Sequence, residues 1–381
     1  MTAKSCRILS VLLCAVFVLS AVKLAGATST LSPTYTISSA SGKMAYDSGL
    51  GAVYVQWGSD WSVVSVVSDS NNSVVGSGVY TTEAYGYTGG LVYDSGKGLL
   101  FAASGDAHSN EAGPPVFSVI SDSNDSAVAA TINAGNFGNN AYNFPYEPTR
   151  MAYDSGKNEI FVIDPGAYGY GTVYVMNDSS YTISASIGGV GNSGGDLAYD
   201  SGRGEIFVAN EGSNTVSVIS DSNNTVVANV TVGSSPYGVA YDSAKSEVFV
   251  FNEGSNTVSV INDTSNMVIA NVTGVTATPF STIAYDSGTG MVFAGNAVIS
   301  DNTNSIIAQL PAGLGDMVYD SGKGEIFAAT SSGNTDVFSN SSIPEYGSTG
   351  LLAAAVAATA ITICAVALVR RKSTRAQAYG E

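Results

Sequence analysis

The chain has 381 residues, and only 12% of them are charged, compared with about a quarter in ordinary soluble proteins. Its 31 acidic and 14 basic residues give a formal net charge of −17, which excludes nucleic acid as a partner because a phosphate backbone would be repelled. Hydrophobic residues make up 45% of the chain, so it can bury a core. Its 43 glycines, with many Ser, Asn and Thr, indicate short strands and turns rather than helices.

The first 27 residues have the features of a secretion signal. Lys4 and Arg7 precede an apolar run over residues 8–22, and Ala25-Gly26-Ala27 supplies the small residues of an A-x-A cleavage site. We therefore predict a signal peptide over residues 1–27, with an uncleaved N-terminal anchor as the alternative.

The middle of the chain is a repeat marked by the dipeptide Tyr-Asp. Each copy divides into four short apolar runs separated by turn sequences such as Asp-Ser-Gly and Asp-Ser-Asn-Asn, so each run is predicted to be a strand. Four strands in about 40 to 45 residues is the period of a β-propeller blade. The repeated tyrosines are Tyr46, Tyr93, Tyr153, Tyr199, Tyr241, Tyr285 and Tyr319.

The seventh copy lacks a fourth strand, because the chain runs on from Phe338 through Pro344 after the third. The sequence Thr34-Tyr35-Thr36-Ile37-Ser38 precedes the first Tyr-Asp and supplies the missing strand. We predict an all-β, seven-bladed propeller over residues 28–340 that this N-terminal strand closes, since an open ring would leave unpaired strand edges.

One run carries a family resemblance. From Ile206 the sequence IFVANEGSNTVSVISDSNNTVVANVTVG resembles the YVTN-type β-propeller repeats of exported bacterial and archaeal proteins, including surface-layer-associated ones. The resemblance covers about residues 31–340 and implies the propeller fold and a cell-surface location. It implies less about function, because the family includes surface proteins and relatives of enzymatic propellers.

The C-terminal end is predicted to cross a membrane. After a linker over residues 341–349, residues 350–369 carry no charge, and a basic cluster begins at Arg370. About 20 residues at 1.5 Å each span the roughly 30 Å hydrocarbon core, and the basic cluster stays in the cytoplasm. We predict a transmembrane helix over 350–369, a cytoplasmic tail over 370–381, and a single-pass cell-membrane protein with an extracellular propeller.

Propeller geometry assigns the connections between strands to two faces. The turns joining strands one to two and three to four of each blade lie on one face, here called the turn face. The connections from strand two to three, and from each blade to the next, lie on the other, here called the loop face. Both ends of the propeller leave from the turn face, so we expect the loop face to point away from the membrane.

Aromatic residues are concentrated in the loop-face connections of blades one to three. Such rings on a polar rim favour stacking on sugars or anchoring protein partners. The alternative is that they pack long loops onto the disc. The predicted binding patch consists of Trp57, Trp61, Tyr85, Tyr87, Tyr142, Phe144, Tyr146, Tyr168 and Tyr170.

Carboxylates offer the remaining route to catalysis. The single histidine, His108, excludes most Ser-His-Asp and zinc designs. Glu211 and Glu253 lie in equivalent loop-face connections, where propeller lactonases and lyases gather their metal ligands, but both belong to plain repeat sequence. We expect no catalytic residue and no cofactor, with a metal on these glutamates as the alternative. The Asp of each Tyr-Asp is expected to hold its own turn, with calcium binding as the alternative.

Asn-x-Ser/Thr sequons lie near the rim of the predicted disc. Six fall at turns after third strands or their equivalent, and two fall on fourth strands, which favours glycosylation over ordinary turn chemistry alone. They are Asn71, Asn124, Asn177, Asn223, Asn229, Asn262, Asn271 and Asn340.

The sequence therefore predicts a membrane-anchored cell-surface propeller that acts as a recognition or binding module, or as an envelope structural module. Its expected partners are a glycan or a neighbouring envelope protein, besides the membrane. The alternative is a metal-assisted, lactonase-like or lyase-like propeller enzyme outside the cell. A purely structural coat component, a third possibility, predicts ordered self-association.

Overall fold

A computed structural model describes residues 30–57, 63–81, 86–106, 116–124, 128–133, 150–164, 171–191, 195–276 and 282–343. These residues form 28 strands in seven four-stranded antiparallel sheets. The innermost strand of each sheet contacts that of the next, and the ring closes between β2 and β26, the innermost strands at Lys43–Asp47 and Leu314–Asp320. The predicted all-β, seven-bladed propeller is confirmed.

The blades follow one another along the chain, each numbered from its innermost strand outward. Blade one contains β2 (Lys43–Asp47), β3 (Ala52–Trp57), β4 (Val63–Ser68) and β5 (Ser73–Tyr80). Blade two contains β6 (Gly86–Asp94), β7 (Leu99–Asp106), β8 (Val116–Ser121) and β9 (Val128–Asn133). Blade three contains β10 (Met151–Asp154), β11 (Glu159–Asp164), β12 (Thr172–Asn177) and β13 (Ile183–Ile187). Blade four contains β14 (Leu197–Asp200), β15 (Glu205–Asn210), β16 (Thr215–Ser220) and β17 (Thr225–Thr231).

The remaining blades repeat the pattern with shorter connections. Blade five contains β18 (Pro236–Asp242), β19 (Glu247–Asn252), β20 (Thr257–Asn262) and β21 (Met267–Thr273). Blade six contains β22 (Ile283–Asp286), β23 (Met291–Ala294), β24 (Ala297–Ser300) and β25 (Ser305–Gln309). Blade seven contains β26 (Leu314–Asp320), β27 (Glu325–Thr330), β28 (Thr335–Ser339) and the N-terminal β1 (Tyr35–Ile37). Short 3-10 turns occupy Asp122–Asn124, Glu211–Ser213 and Asn340–Ser342.

The Asp of each Tyr-Asp fixes the turn between the first two strands of its blade. In blade four Asp200 is fully buried, and its Oδ1 accepts the backbone N–H groups of Gly202 at 2.8 Å and Arg203 at 3.1 Å. Gly204 then adopts φ 65°, a left-handed conformation that costs glycine little. The same pair of hydrogen bonds recurs in all seven blades. This carboxylate oxygen therefore serves the turn, as the sequence predicts.

The hydrophobic core lies between adjacent blades. A cluster between blades four and five joins Phe207 and Val218 with Val239 and Ile261. Strands two and three of a blade are sandwiched between neighbouring sheets, so both of their faces are buried and their sequences are continuous apolar runs. The outermost strand, such as β17, alternates between exposed and partly buried residues because only one of its faces meets another blade.

The N-terminal strand closes the ring. β1 pairs antiparallel with β28, placing Tyr35 opposite Val337, and Ile37 is buried in the core. Just before β1, Thr30 forms a parallel bridge with Gln309 in blade six, and the Leu31 N–H donates to the carbonyl of Gln309 at 2.8 Å. The predicted closure is confirmed, and the N-terminal segment also ties the rim of blade six to that of blade seven.

The predicted signal peptide, transmembrane helix and tail lie outside the described residues, as does most of the linker. Of residues 343–381, the structure describes only Ile343. No helix in the described part of the chain is long and apolar enough to cross a membrane.

Candidate functional site

The loop-face mouth of the central channel holds a cluster of charged side chains that the sequence reasoning missed. Its members sit at or next to the position three residues before each repeated tyrosine, where the innermost strands begin. Within the repeat, this position varies most in charge, and that variation could have indicated a functional or structural cluster here. Around the ring it is occupied by Lys43, Gly90, Arg150, Asp196, Gly238, Thr282 and Asp316.

Arg150 is the centre of this cluster, here called the mouth cluster (Lys43, Arg150, Asp196, Tyr237 and Asp316). Its Nη1 lies 2.7 Å from Asp316 Oδ1 and 4.0 Å from Asp196 Oδ2. Its Nη2 lies 3.5 Å from the Tyr237 hydroxyl, and its guanidinium carbon is 5.4 Å from the centre of that ring. Blades three and seven are not neighbours, so the bond from Arg150 to Asp316 crosses the channel.

The Asp316 carboxylate also connects the cluster to blade one. Its Oδ2 accepts the backbone N–H of Met44 at 2.8 Å. The side chains of Arg150 and Asp316 are only 10% and 9% exposed, so this is a nearly desolvated ion pair whose remaining carboxylate oxygen is also hydrogen-bonded. Removal of one partner from such a pair strongly destabilises the folded protein.

Burial and charge set the protonation of the mouth cluster. Burial opposes the charge on Arg150, but the carboxylates of Asp196 and Asp316 outweigh it and raise the pKa of the guanidinium. Burial would raise the pKa of Asp316, but Arg150 and Lys43 outweigh it and hold that pKa below its usual value. For Asp196, burial dominates over the attraction of Arg150 and the pKa is raised. Two bases thus face two carboxylates of unequal acidity.

This arrangement is suited to joining blades rather than to chemistry. Each charge of Arg150 and Asp316 is matched by the other, and their hydrogen bonds together with the ion pair to Asp196 join five of the seven blades. Within the described residues, no group of three or more His, Cys, Asp or Glu side chains is placed to hold a metal ion.

Most of the predicted aromatic patch lies outside the described residues. This applies to Trp61, Tyr85, Tyr142, Phe144, Tyr146, Tyr168 and Tyr170. Tyr87 is near the start of β6, and Trp57 ends β3, so both belong to the loop face. The Trp57 ring N–H donates to Ser65 Oγ at 2.8 Å, and 36% of the residue is exposed, which leaves part of the ring available for contact. The single surface formed by the nine residues stays a prediction.

The glutamates considered as metal ligands occupy equivalent positions in blades four and five. Glu211 begins a 3-10 turn after β15 and is exposed, while Glu253 follows β19 and is half-buried. The neighbouring Asn210 is fully buried, and its amide donates to Ser217 Oγ at 2.9 Å, so that side chain holds the connection in place. Metal binding by the two glutamates stays a prediction.

The asparagines of the predicted sequons lie in different environments. Asn71 and Asn223 are exposed in turns, and Asn229 and Asn271 are exposed on outermost strands. Asn340 is half-buried, and its amide nitrogen donates to Asp286 Oδ2 at 3.1 Å. Because a glycan would be attached to that nitrogen, Asn340 is poorly placed for modification. The side chain of Asn124 is outside the described set, and Asn177 and Asn262 are half-buried.

Comparison with known proteins supports the fold alone. No protein-family model matches the chain, and no curated protein matches it either. Many solved structures share its fold. One is a chain of the crystal structure of a mitotic checkpoint complex, with a TM-score of 0.63 and 10% sequence identity over 82% of this chain and 92% of that chain. The resemblance to YVTN-type repeats stays a prediction.

Proposed function

We propose that this protein is a cell-surface binding module, exported by its N-terminal signal and held by a C-terminal membrane span. The propeller stands outside the membrane and binds a glycan or a neighbouring envelope protein through the loop face of blades one to three. The location is inferred from the predicted signal peptide and the predicted membrane span. The binding role is inferred from the loop-face connections of the propeller.

The observation that carries the binding role is the unequal distribution of loop-face connections. In blades one to three the connections between the second and third strands span residues 58–62, 107–115 and 165–171, and residues 134–150 join blades two and three. In blades four to seven the corresponding connections shrink to residues 211–214, 253–256, 295–296 and 331–334. Long connections on a rigid scaffold are where binding residues concentrate.

The aromatic residues follow the same distribution. Six of the nine predicted patch residues fall in the longer connections, Tyr85 falls in the connection 81–85 between blades one and two, and Trp57 and Tyr87 lie at the ends of strands that meet such connections. A charge-balanced mouth cluster favours recognition at the rim over catalysis in the channel. One of the chains that are similar to it in structure belongs to a mitotic checkpoint complex, so protein binding is compatible with this fold.

The test measures binding by the full chain in detergent. Trp61→Ala and Tyr146→Ala, singly and together, are compared with the parent on a glycan array and in pull-downs from solubilised envelope of the source cells. We expect binding to fall at least tenfold in the double variant, because aromatic anchors commonly contribute about 2 kcal/mol or more each.

The matched control is Tyr35→Ala. Tyr35 is an exposed aromatic residue on the rim of blade seven, away from the loop face of blades one to three, so its removal should leave binding unchanged. Unaltered binding by a double variant that keeps the parental unfolding temperature would contradict the proposed surface.

A further inference from the structure

The turn face carries one polar junction between each pair of neighbouring blades. The Asp of Tyr-Asp in one blade meets the residue that follows the third strand of the next blade. In the junction of blades four and five, burial raises the pKa of Asp263, and the neighbouring carboxylate of Asp200 raises it further. The pairs around the ring are Asp47/Asp122, Asp94/Asp178, Asp154/Asp221, Asp200/Asp263, Asp242/Asp301, Asp286/Asn340 and Asp320/Asp69.

In five junctions a basic side chain offsets the paired carboxylates. It comes from the position three residues after the Asp of Tyr-Asp. Lys97 Nζ lies 2.5 Å from Asp178 Oδ1, and Lys245 Nζ lies 2.9 Å from Asp301 Oδ1. The other three bases are Lys157 beside Asp221, Arg203 beside Asp263, and Lys323 beside Asp69.

At a sixth junction the repulsion between two carboxylates does not arise, because one of them is replaced by an uncharged residue. Between blades six and seven, Asn340 stands where the other junctions have Asp, and its amide donates to Asp286 Oδ2 at 3.1 Å. The base is correspondingly absent, since Thr289 occupies its position and donates its hydroxyl to the same carboxylate at 2.5 Å. The base and the second carboxylate are therefore lost together at this junction.

The seventh junction, between blades one and two, keeps both carboxylates but has no base. Leu50 occupies the position of the lysine and is 56% exposed. The other bases are committed elsewhere: residues 28–349 contain seven Lys and Arg in total, five at the junctions above and two, Lys43 and Arg150, in the mouth cluster. No lysine or arginine of the propeller is left to neutralise Asp47 and Asp122.

The atoms of this junction leave one carboxylate oxygen unpaired. Asp47 is fully buried, with Oδ1 taken by the N–H groups of Gly49 and Leu50. The Tyr93 hydroxyl lies between the carboxylates and gives its one proton to Asp122 Oδ2 at 2.9 Å. Among the described residues, Asp47 Oδ2 has no hydrogen-bond partner. In the five junctions that have a base, the equivalent carboxylate oxygen also has no hydrogen-bond partner. At those junctions the positive charge of the lysine or arginine balances the charge of the carboxylates. A buried, unpaired carboxylate oxygen is costly unless a cation meets it.

We propose that a divalent cation, Ca²⁺, binds between Asp47 and Asp122 and takes the place that lysine or arginine fills at five other junctions. Two carboxylates beside a phenol oxygen at a partly open surface are the hard oxygen ligands that Ca²⁺ prefers, and water completes its coordination. The ion joins blade one to blade two in the way that Lys97 joins blade two to blade three. The proposal does not depend on the proposed binding function.

The test compares calcium binding and thermal unfolding of the full chain in detergent. Equilibrium dialysis with Ca²⁺ should give one bound ion per chain. Circular dichroism should show an unfolding temperature higher by roughly 4 °C at 100 times the dissociation constant than in EDTA.

Two variants reproduce arrangements that are present at other junctions of the same ring. Leu50→Lys supplies the missing base, and Asp122→Asn reproduces the junction of blades six and seven. Both should abolish the bound ion and make the unfolding temperature independent of Ca²⁺. The opposite change, Lys97→Leu, removes the base from the junction of blades two and three. It should lower stability in EDTA and create a second calcium-dependent site.

The outcomes separate this site from any other. Absence of bound Ca²⁺ in the parent chain would overturn the proposal. So would a bound ion that persists unchanged in both Leu50→Lys and Asp122→Asn, because it would then reside elsewhere. A Leu50→Lys variant that folds and retains the full calcium response refutes the junction even if Asp122→Asn fails to fold.

Discussion

Replacement of Arg150 by Met tests whether the mouth cluster stabilises the ring. The change keeps most of the side-chain length but leaves Asp316 and Asp196 buried without the guanidinium that faces them at 2.7 and 4.0 Å. Removing one partner of a buried ion pair costs about 3–5 kcal/mol. About 310 residues at roughly 2.1 cal/mol/K each give an unfolding entropy near 0.65 kcal/mol/K, so the midpoint should fall by roughly 5–8 °C.

The assay is thermal unfolding near pH 7, followed by circular dichroism, with Asp316→Asn and the double variant completing a cycle. The Asp316→Asn change keeps an acceptor for the Met44 N–H but removes the charge, so the double variant should lose less stability than the sum of the single losses. A midpoint within 1 °C of the parent for Arg150→Met, or strictly additive losses, would refute an energetically coupled cluster.

Three further predictions concern the junctions, the closure and the sequons. Burial raises the folded-state pKa of Asp263, so its contribution to stability is complete below the unfolded pKa of about 3.9 and is lost as pH rises through the folded value. The unfolding midpoint should therefore rise between pH 7 and pH 4, and less so in Asp263→Asn. Ile37→Ala should cost about 2–5 kcal/mol and expose blade seven to limited proteolysis, unlike Tyr35→Ala on the same strand. In a glycosylating host, Asn223→Gln should remove a glycan detectable by gel mobility, whereas Asn340→Gln should leave mobility unchanged and lower the unfolding midpoint.

The propeller could be predicted from the sequence because its information is local and repeated seven times. Each strand is an apolar run between turn residues, and the turn Asp, Asn and Gly positions recur at fixed offsets. The closing strand predicted at residues 34–38 lies at Tyr35–Ile37, a difference of one residue at each end, which is ordinary for strand boundaries. Closure followed from counting, since blade seven lacked one strand and the N-terminus offered one.

The mouth cluster could not be predicted in the same way. Arg150 and Asp316 are in blades three and seven, and nothing local to either sequence indicates that they meet. Their contact depends on the number of blades and on the width of the channel, which only the closed ring sets. The aromatic patch rests on the same kind of long-range placement, and seven of its members lie beyond the described residues.

The same contact bears on why the ring closes at seven blades. The apolar faces between blades are built from similar Val, Ile and Phe residues, so one face alone discriminates poorly between neighbours. The Arg150–Asp316 bond joins blades that are not adjacent, and it forms only when the ring curvature brings them opposite each other at 2.7 Å. A ring with one blade more or fewer would change that separation and remove the 2.7 Å contact. We therefore expect the mouth cluster to contribute to the specificity of ring closure as well as to its stability.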